Sequence, residues 1–185
     1  MSPSRFFCCF LTLSLCAAAV EPMAPGTVKT TPKLEVLNRQ IAENAENAQA
    51  YSNRGYVLAL LGRKEEARAD LKKALSLSDK PNMHNRAGWA YFNMGDYADT
   101  VRECELAAKM SDHQAHYDYY SLVLGYWGTG DLQKALENYQ LAVEKDPRFG
   151  SYKTLMERTL EWTPLEQRAI HEVYVLWSKA WKPAS

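Results

Sequence analysis

The fold of this chain is decided by three similar stretches: YSNRGYVLALLGRKEEARADLKKA (51–74), AGWAYFNMGDYADTVRECELAA (87–108) and YYSLVLGYWGTGDLQKALENYQLAVEKDP (119–147). A glycine followed by Arg or Asp stands inside each stretch. These glycines are Gly62, Gly95 and Gly130, and they lie 33 and 35 residues apart. Recurrence at a nearly fixed interval indicates an internal structural repeat.

Each copy combines two helical segments, one before and one after its central glycine. The first segment carries Gly55 or Gly88 where we expect a second helix to cross, because helix axes approach to about 8–10 Å only beside small side chains. The second segment places small residues at helical spacing: Ala67, Ala74, Ala107, Ala135 and Ala142. The central glycine ends the first helix because it adopts a left-handed conformation at low cost, and Asp96 and Asp131 are predicted to cap the next helices. The sequence therefore predicts an all-α stack of antiparallel helical hairpins.

The repeat resembles the tetratricopeptide repeat (TPR) of about 34 residues, in proteins of the exported bacterial type. This resemblance implies a right-handed superhelix with three TPR units at about 48–80, 81–113 and 116–147. An N-terminal helix precedes the units, and a degenerate C-terminal capping hairpin at 148–182 follows them. The predicted TPR domain thus spans residues 32–182.

The sequence on either side of the repeats predicts two further helices. Thr31 and Pro32 are typical of a helix start, since proline suits the first helical position. Thr163 and Glu166 have the spacing of a capping box and predict a second helix that continues to about Trp181.

The N-terminus carries the pattern of a secretory signal peptide over residues 1–19. Arg5 precedes an apolar run from Phe6 to Leu15, and Ala17-Ala18-Ala19 offers a small-residue cleavage site. The apolar run is too short to span a membrane, which takes about 20 residues. The pattern predicts an exported protein, periplasmic or extracellular, in which residues 20–31 form a flexible linker.

Cys16 offers an alternative to soluble release. The sequence Leu13-Ser14-Leu15-Cys16 resembles a bacterial lipobox, and lipidation of Cys16 would anchor the chain to the envelope membrane. Leu15 stands where a lipobox normally has Gly, Ala or Ser, so cleavage after Ala19 is the preferred reading.

The composition and motifs argue against several functional classes. The 22 Lys and Arg residues balance 22 Asp and Glu residues, and this absence of a basic excess indicates no nucleic-acid partner. His171 begins a sequence that lacks the second histidine of the zinc-protease motif. His113 and His116 could reach one metal ion, but no distant third ligand is indicated, so a metal-binding protein on a helical scaffold is a lesser alternative. We predict a non-enzymatic chain with no cofactor, metal or catalytic residue.

The resemblance places the first helices of successive units along a concave groove. Residues of these helices outside the packing stripe are predicted to line it and bind a peptide: Asn53, Tyr56, Asn85, Arg86, Trp89, Phe92, Tyr120 and Trp127. Aromatic side chains at this spacing are also typical of a buried core. If exposed, they would form an apolar patch of the kind that marks contact sites, with the asparagines and Arg86 as polar anchors.

The sequence therefore favours a TPR adaptor or scaffold of the cell envelope that binds a peptide segment or protein partner through an aromatic groove. An alternative is a self-associating assembly subunit, a homo-oligomer formed through the apolar helix at 164–181. The two readings are compatible with each other.

Overall fold

The computed structural model describes residues 31–113 and 116–181, and the regular structure of these residues is helical throughout. The helices are α1 (Thr31–Glu43), α2 (Ala48–Leu60), α3 (Lys64–Leu77), α4 (Pro81–Met94), α5 (Tyr97–Met110), α6 (His116–Thr129), α7 (Leu132–Lys145), a short 3₁₀ helix (Pro147–Gly150), α8 (Tyr152–Arg158) and α9 (Pro164–Ala180). The predicted signal segment at 1–19 and the predicted linker up to residue 30 lie outside the described residues. None of the described helices is both long and apolar enough to cross a membrane.

Consecutive helices pair into three hairpins that stack along the chain. Helix α2 packs on α3, α4 on α5 and α6 on α7, while α2, α4 and α6 also contact one another in sequence. The glycines between the paired helices, Gly62, Gly95 and Gly130, have φ angles of 73°, 81° and 80°. They adopt the left-handed conformation expected at a helix end. The predicted all-α stack of hairpins is confirmed.

Glycine brings the paired helices into contact at the predicted crossings. A Cβ atom placed on Gly55 would lie 2.9 Å from Cγ of Leu71, and one placed on Gly88 would lie 2.3 Å from Sγ of Cys104. Both distances are shorter than a van der Waals contact. The two positions therefore need a residue without a side chain.

The two predicted aspartate caps differ. Asp131 accepts a hydrogen bond from the backbone N–H of Lys134 at 3.2 Å, as expected of a helix cap. Asp96 makes no such bond, and the prediction for it is wrong. Its carboxylate instead accepts from Nη2 of Arg68 at 2.6 Å, which ties α3 to the start of α5.

The first helix is attached to the stack by both apolar and polar contacts. Leu37 of α1 is buried, and Arg54 of α2 donates to Asn38 at 2.8 Å and to both carboxylate oxygens of Asp70 at 2.6 and 2.8 Å. One guanidinium thus joins α1, α2 and α3.

The C-terminal unit differs from a repeat hairpin because its two helices are unequal. Helix α8 has seven residues and α9 has 17. Helix α9 packs chiefly on α6 and α7. Its residues Ile170, Val173 and Trp177 belong to the largest apolar core, and Nε1 of Trp177 donates to Gln140 of α7 at 2.7 Å. The C-terminal unit therefore completes the core of the third repeat.

Candidate functional site

The polar start of α9 is bonded to the first two repeats. Oε1 of Glu166 accepts from Nδ2 of Asn93 at 2.6 Å and from the Tyr56 hydroxyl at 3.4 Å, while Oε2 accepts from the backbone N–H of Thr163 at 2.7 Å. The Thr163 hydroxyl donates to Oδ1 of Asn93 at 3.1 Å. The predicted capping box is present, and it also fastens α9 to α2 and α4.

Glu166 is a buried carboxyl group with several donors around it. Its exposed fraction is 0%. Burial raises the pKa of Glu166 because it disfavours the charged form, although hydrogen bonds from Asn93, Thr163 and Tyr56 act in the opposite direction. Burial and the nearby charge of Glu166 also raise the pKa of Tyr56. The Tyr56 hydroxyl therefore keeps its proton and acts as a donor.

An open cleft of about 410 Å³ remains between the repeats and the turn that precedes α9. Its walls carry four aromatic side chains, two amides, one cation and two carboxyl groups. The lining residues are Tyr56, Asn82, Asn85, Arg86, Trp89, Tyr117, Glu161, Trp162 and Glu166. They come from α2, α4 and α6, one first helix of each repeat, and from the C-terminal unit.

Trp89, which lines this cleft, is held in place by two contacts. Its ring meets Trp162 edge to face, with the centroids 4.7 Å apart and the planes at 81°, a favoured geometry for aromatic pairs. Its Nε1–H donates to the hydroxyl of Ser121 at 2.8 Å. The same hydroxyl accepts from Nδ2 of Asn85 at 2.7 Å and donates to the carbonyl of Tyr117 at 2.9 Å. Ser121 therefore fixes Trp89 and Asn85 together.

Arg86 supplies the positive charge of the cleft. Its side chain is exposed, and its guanidinium carbon lies 5.7 Å from the centroid of the Tyr56 ring. This distance is within the range of a cation–π interaction. Four predicted groove residues, Tyr56, Asn85, Arg86 and Trp89, thus lie in one cleft.

Two of the other predicted groove residues are core residues. Phe92 is 0% exposed and packs on Trp127 and Tyr97, with centroids 6.1 and 5.5 Å away. Tyr120 is 2% exposed and packs on Phe149 at 4.3 Å. Their predicted exposure on a groove is wrong, because neighbouring helices cover both side chains.

The last two predicted groove residues lie away from the cleft. Trp127 is half-buried, and its Nε1–H donates to Oε2 of Glu172 on α9 at 2.8 Å. Asn53 accepts from Nε2 of Gln49 at 2.9 Å on its own helix. The structure does not bring either residue to the cleft.

Five cleft residues were not among those predicted from the sequence: Asn82, Tyr117, Glu161, Trp162 and Glu166. Asn82 and Tyr117 could have been identified from the sequence, since each stands in the first turn of a repeat and they are 35 residues apart. The other three belong to the C-terminal unit, and only its docking on the repeats brings them to this site.

The remaining titratable side chains form no reactive centre in the part of the chain that the structure describes. No group of three or more His, Cys, Asp or Glu side chains there could hold a metal ion. The side chain of His116, half of the predicted histidine pair, lies outside the described residues. Cys104 is buried, and burial raises the pKa of its thiol, so this thiol lacks the thiolate character of a nucleophile.

Comparison with known sequences identifies the repeat. A sequence model of the tetratricopeptide repeat matches residues 48–81, the segment that contains α2 and α3. Human Tetratricopeptide repeat protein 13 is 28% identical over 120 residues, which are 64% of this chain and 14% of that protein. This chain therefore corresponds to a small part of that relative.

Solved structures of MamA have a similar fold. The MamA RS-1 ArsTM double mutant has a TM-score of 0.56 and 19% identity, and the similarity covers 83% of this chain and 87% of the mutant. MamA from Desulfovibrio magneticus RS-1, from residue 41 to the end, has a TM-score of 0.56 and 20% identity over 83% of this chain and 88% of that one. At this identity the likeness shows a shared fold of helical repeats.

Proposed function

We propose that this chain, as a tetratricopeptide repeat protein, is a non-enzymatic scaffold whose cleft binds a peptide segment of a protein partner. The observation that carries the proposal is the position of Trp89, which is half-buried in a cleft built from all three repeats and the C-terminal unit. Tryptophan, tyrosine and arginine dominate the energetics of protein interfaces, and this cleft contains all three. Its amide groups are suited to the polar backbone of a peptide.

We further propose that the protein works in the cell envelope. The support is the sequence pattern at 1–19, where Arg5, an apolar run and Ala17-Ala18-Ala19 follow one another as in a secretory signal. The partner would then be an envelope protein. A lipidated Cys16 would hold the same scaffold at the membrane surface.

Site-specific photo-crosslinking in cells tests the binding proposal. A photoreactive residue replaces exposed Asn82 in the cleft, and the matched control carries it at exposed Lys109 on α5, outside the cleft. We expect a discrete partner adduct from position 82 and none from position 109. Adducts at 109 only would contradict the proposal.

A substitution in the cleft measures how much one side chain contributes to the binding affinity. We expect Trp89→Ala to weaken binding of the captured partner by about 2 kcal/mol, roughly thirtyfold, because such anchors commonly contribute this much. Circular dichroism first establishes that the variant is folded. Unchanged affinity in a folded variant would place the binding site elsewhere.

Self-association through α9 is the second candidate. Leu176 on this helix and Trp181 at its C-terminal end remain exposed, while Ile170, Val173 and Trp177 are buried. Sedimentation of the wild type and of Trp181→Ala over a range of concentrations tests it. A monomer at every concentration would remove this candidate.

A further inference from the structure

Arg86 differs from the other arginines of the repeats in its charge contacts. Within the three repeats, the other arginines each form an ion pair: Arg54 with Asp70, Arg63 with Glu66, Arg68 with Asp96 and Arg102 with Glu103. Among the described residues no such pair is formed by Arg86, and its guanidinium lies over the Tyr56 ring instead. Arg86 therefore presents a cation that is not ion-paired to a cleft whose other charged groups are the carboxyl groups of Glu161 and Glu166.

Helix α4 presents a short row of recognition groups beside this charge. Asn82, Asn85, Arg86 and Trp89 are spaced three, one and three residues apart, so they share one face of the helix. Asn82 is exposed, and Asn85 uses its Nδ2–H in the bond to Ser121. Its Oδ1 accepts no bond from the described residues and can face the N–H groups of a ligand backbone.

The remaining lining of the cleft includes both apolar and acidic side chains. Trp162 lies beside Trp89, and Tyr117 is 54% exposed. The indole N–H of Trp89 is already bonded, so its ring offers an apolar surface. Glu161, in the same turn as Trp162, is exposed. The negative charge of Glu161 would repel a ligand that carries several consecutive acidic residues. We therefore expect the acidic side chain of the ligand to lie near Arg86.

We propose that the cleft takes a partner segment in which one acidic side chain stands next to an aromatic one. The acid pairs with Arg86, and the aromatic ring lies against Trp89 and Trp162. This inference rests on the proposed peptide-binding function and specifies the ligand chemistry of the same site. It also assigns a binding residue, Trp162, to the C-terminal unit, outside the repeats.

Peptide pools with degenerate flanks around a fixed central pair test this proposal by tryptophan fluorescence and calorimetry. The fixed pairs are Asp-Phe, Asn-Phe, Lys-Phe and Asp-Ala, each in an octapeptide. We expect the full chain to bind the Asp-Phe pool about tenfold more tightly than the Lys-Phe pool, because charge complementarity sets the preference. Equal binding of the Asp-Phe and Asn-Phe pools would overturn the role of the acid. Equal binding of Asp-Phe and Asp-Ala would overturn the role of the ring.

Variants that change a single charge then show which residue causes the preference for the Asp-Phe pool. Arg86→Glu should reverse the order of the Asp-Phe and Lys-Phe pools, and Arg86→Gln should remove the preference for the Asp-Phe pool. Lys72→Glu makes the same charge change on an exposed residue of α3 outside the cleft and should keep the wild-type order. An Asp-Phe preference that survives in both folded Arg86 variants would overturn the inference.

The two proposals fail in different ways. Failure of every pool to bind would overturn this ligand assignment, whereas the proposed function is tested by the adduct from position 82 with the natural partner. A partner adduct together with pools that bind without a charge preference would leave the scaffold function standing and remove the acidic-aromatic ligand.

Discussion

At the level of single residues, Gly88 shows how closely the paired helices approach. A Cβ atom at this position would lie 2.3 Å from Sγ of Cys104 and 3.4 Å from the carbonyl of Thr100. We expect Gly88→Ala to destabilise the protein by about 1–3 kcal/mol through overpacking, despite the better helix propensity of alanine. Urea denaturation followed by circular dichroism measures the change.

A glycine with more space is the control for this effect. A Cβ atom on Gly150 would lie 3.5 Å from Val143, an ordinary contact, so Gly150→Ala should change stability by about 0.5 kcal/mol or less. Adding Cys104→Ala to Gly88→Ala should restore part of the lost stability, because it removes the atom that clashes. Equal stability of the two single variants would contradict the crossing at Gly88.

His84 makes stability depend on pH. Its Nδ1 lies 2.7 Å from Oε2 of Glu103 and its Nε2 lies 2.7 Å from Oδ1 of Asp79, while Arg102 contacts the other oxygen of Glu103. Burial lowers the pKa of His84, but hydrogen bonds and charge from the two carboxylates outweigh it, so the pKa is raised.

The sign of the pH effect follows from this raised pKa. The folded state binds the proton more tightly than the unfolded state, so the stabilisation is complete below the unfolded pKa of about 6.5 and is lost as pH rises through the folded pKa. We expect the free energy of unfolding to fall over this interval and His84→Gln to flatten the fall.

At the level of elements, α9 is part of the core. Trp177 is 5% exposed and lies 5.3 Å from the Tyr139 ring, whereas Trp181, four residues later, is 40% exposed. We expect Trp177→Ala to cost about 3–5 kcal/mol, the usual range for a large core side chain, and Trp181→Ala to cost much less. Thermal melts of both variants measure the difference. Similar losses would mean that α9 does not pack as described.

The repeat helices could be predicted from the sequence because their signals are local. Gly55, Gly88 and the turn glycines stand at fixed intervals, and apolar residues at helical spacing indicate the packed faces. The start of α9 was equally clear, since Thr163 and Glu166 form a capping box within four residues. Such patterns depend only on neighbours along the chain.

The contact of α9 with the first two repeats could not be predicted from the same patterns. It depends on pairs such as Glu166 with Asn93, which lie 73 residues apart, and local periodicity carries no information about them. Half of the predicted groove was misplaced for related reasons. The sequence spacing of Phe92 and Tyr120 is compatible with either an exposed or a buried position. Both are buried because neighbouring helices cover them.

At the level of the whole molecule, the cleft lies where the three repeats meet the C-terminal unit. Tyr56, Trp89 and Tyr117 come from successive repeats, and Trp162 comes from the turn before α9. A ligand in this cleft would contact four parts of the chain at once. Its binding should therefore stabilise their packing against one another, because a ligand that binds only the folded state stabilises that state.

Hydrogen–deuterium exchange of the full chain, with and without the crosslinked partner's binding segment, tests whether that segment binds in the cleft. We predict that the segment slows exchange most in α4 and in residues 160–166, and that the slowing in α3 and α7 is smaller. This result would place the ligand between the repeats and the C-terminal unit. Slowed exchange confined to α3, α5 and α7, with α4 and residues 160–166 unaffected, would mean that the ligand binds outside the cleft.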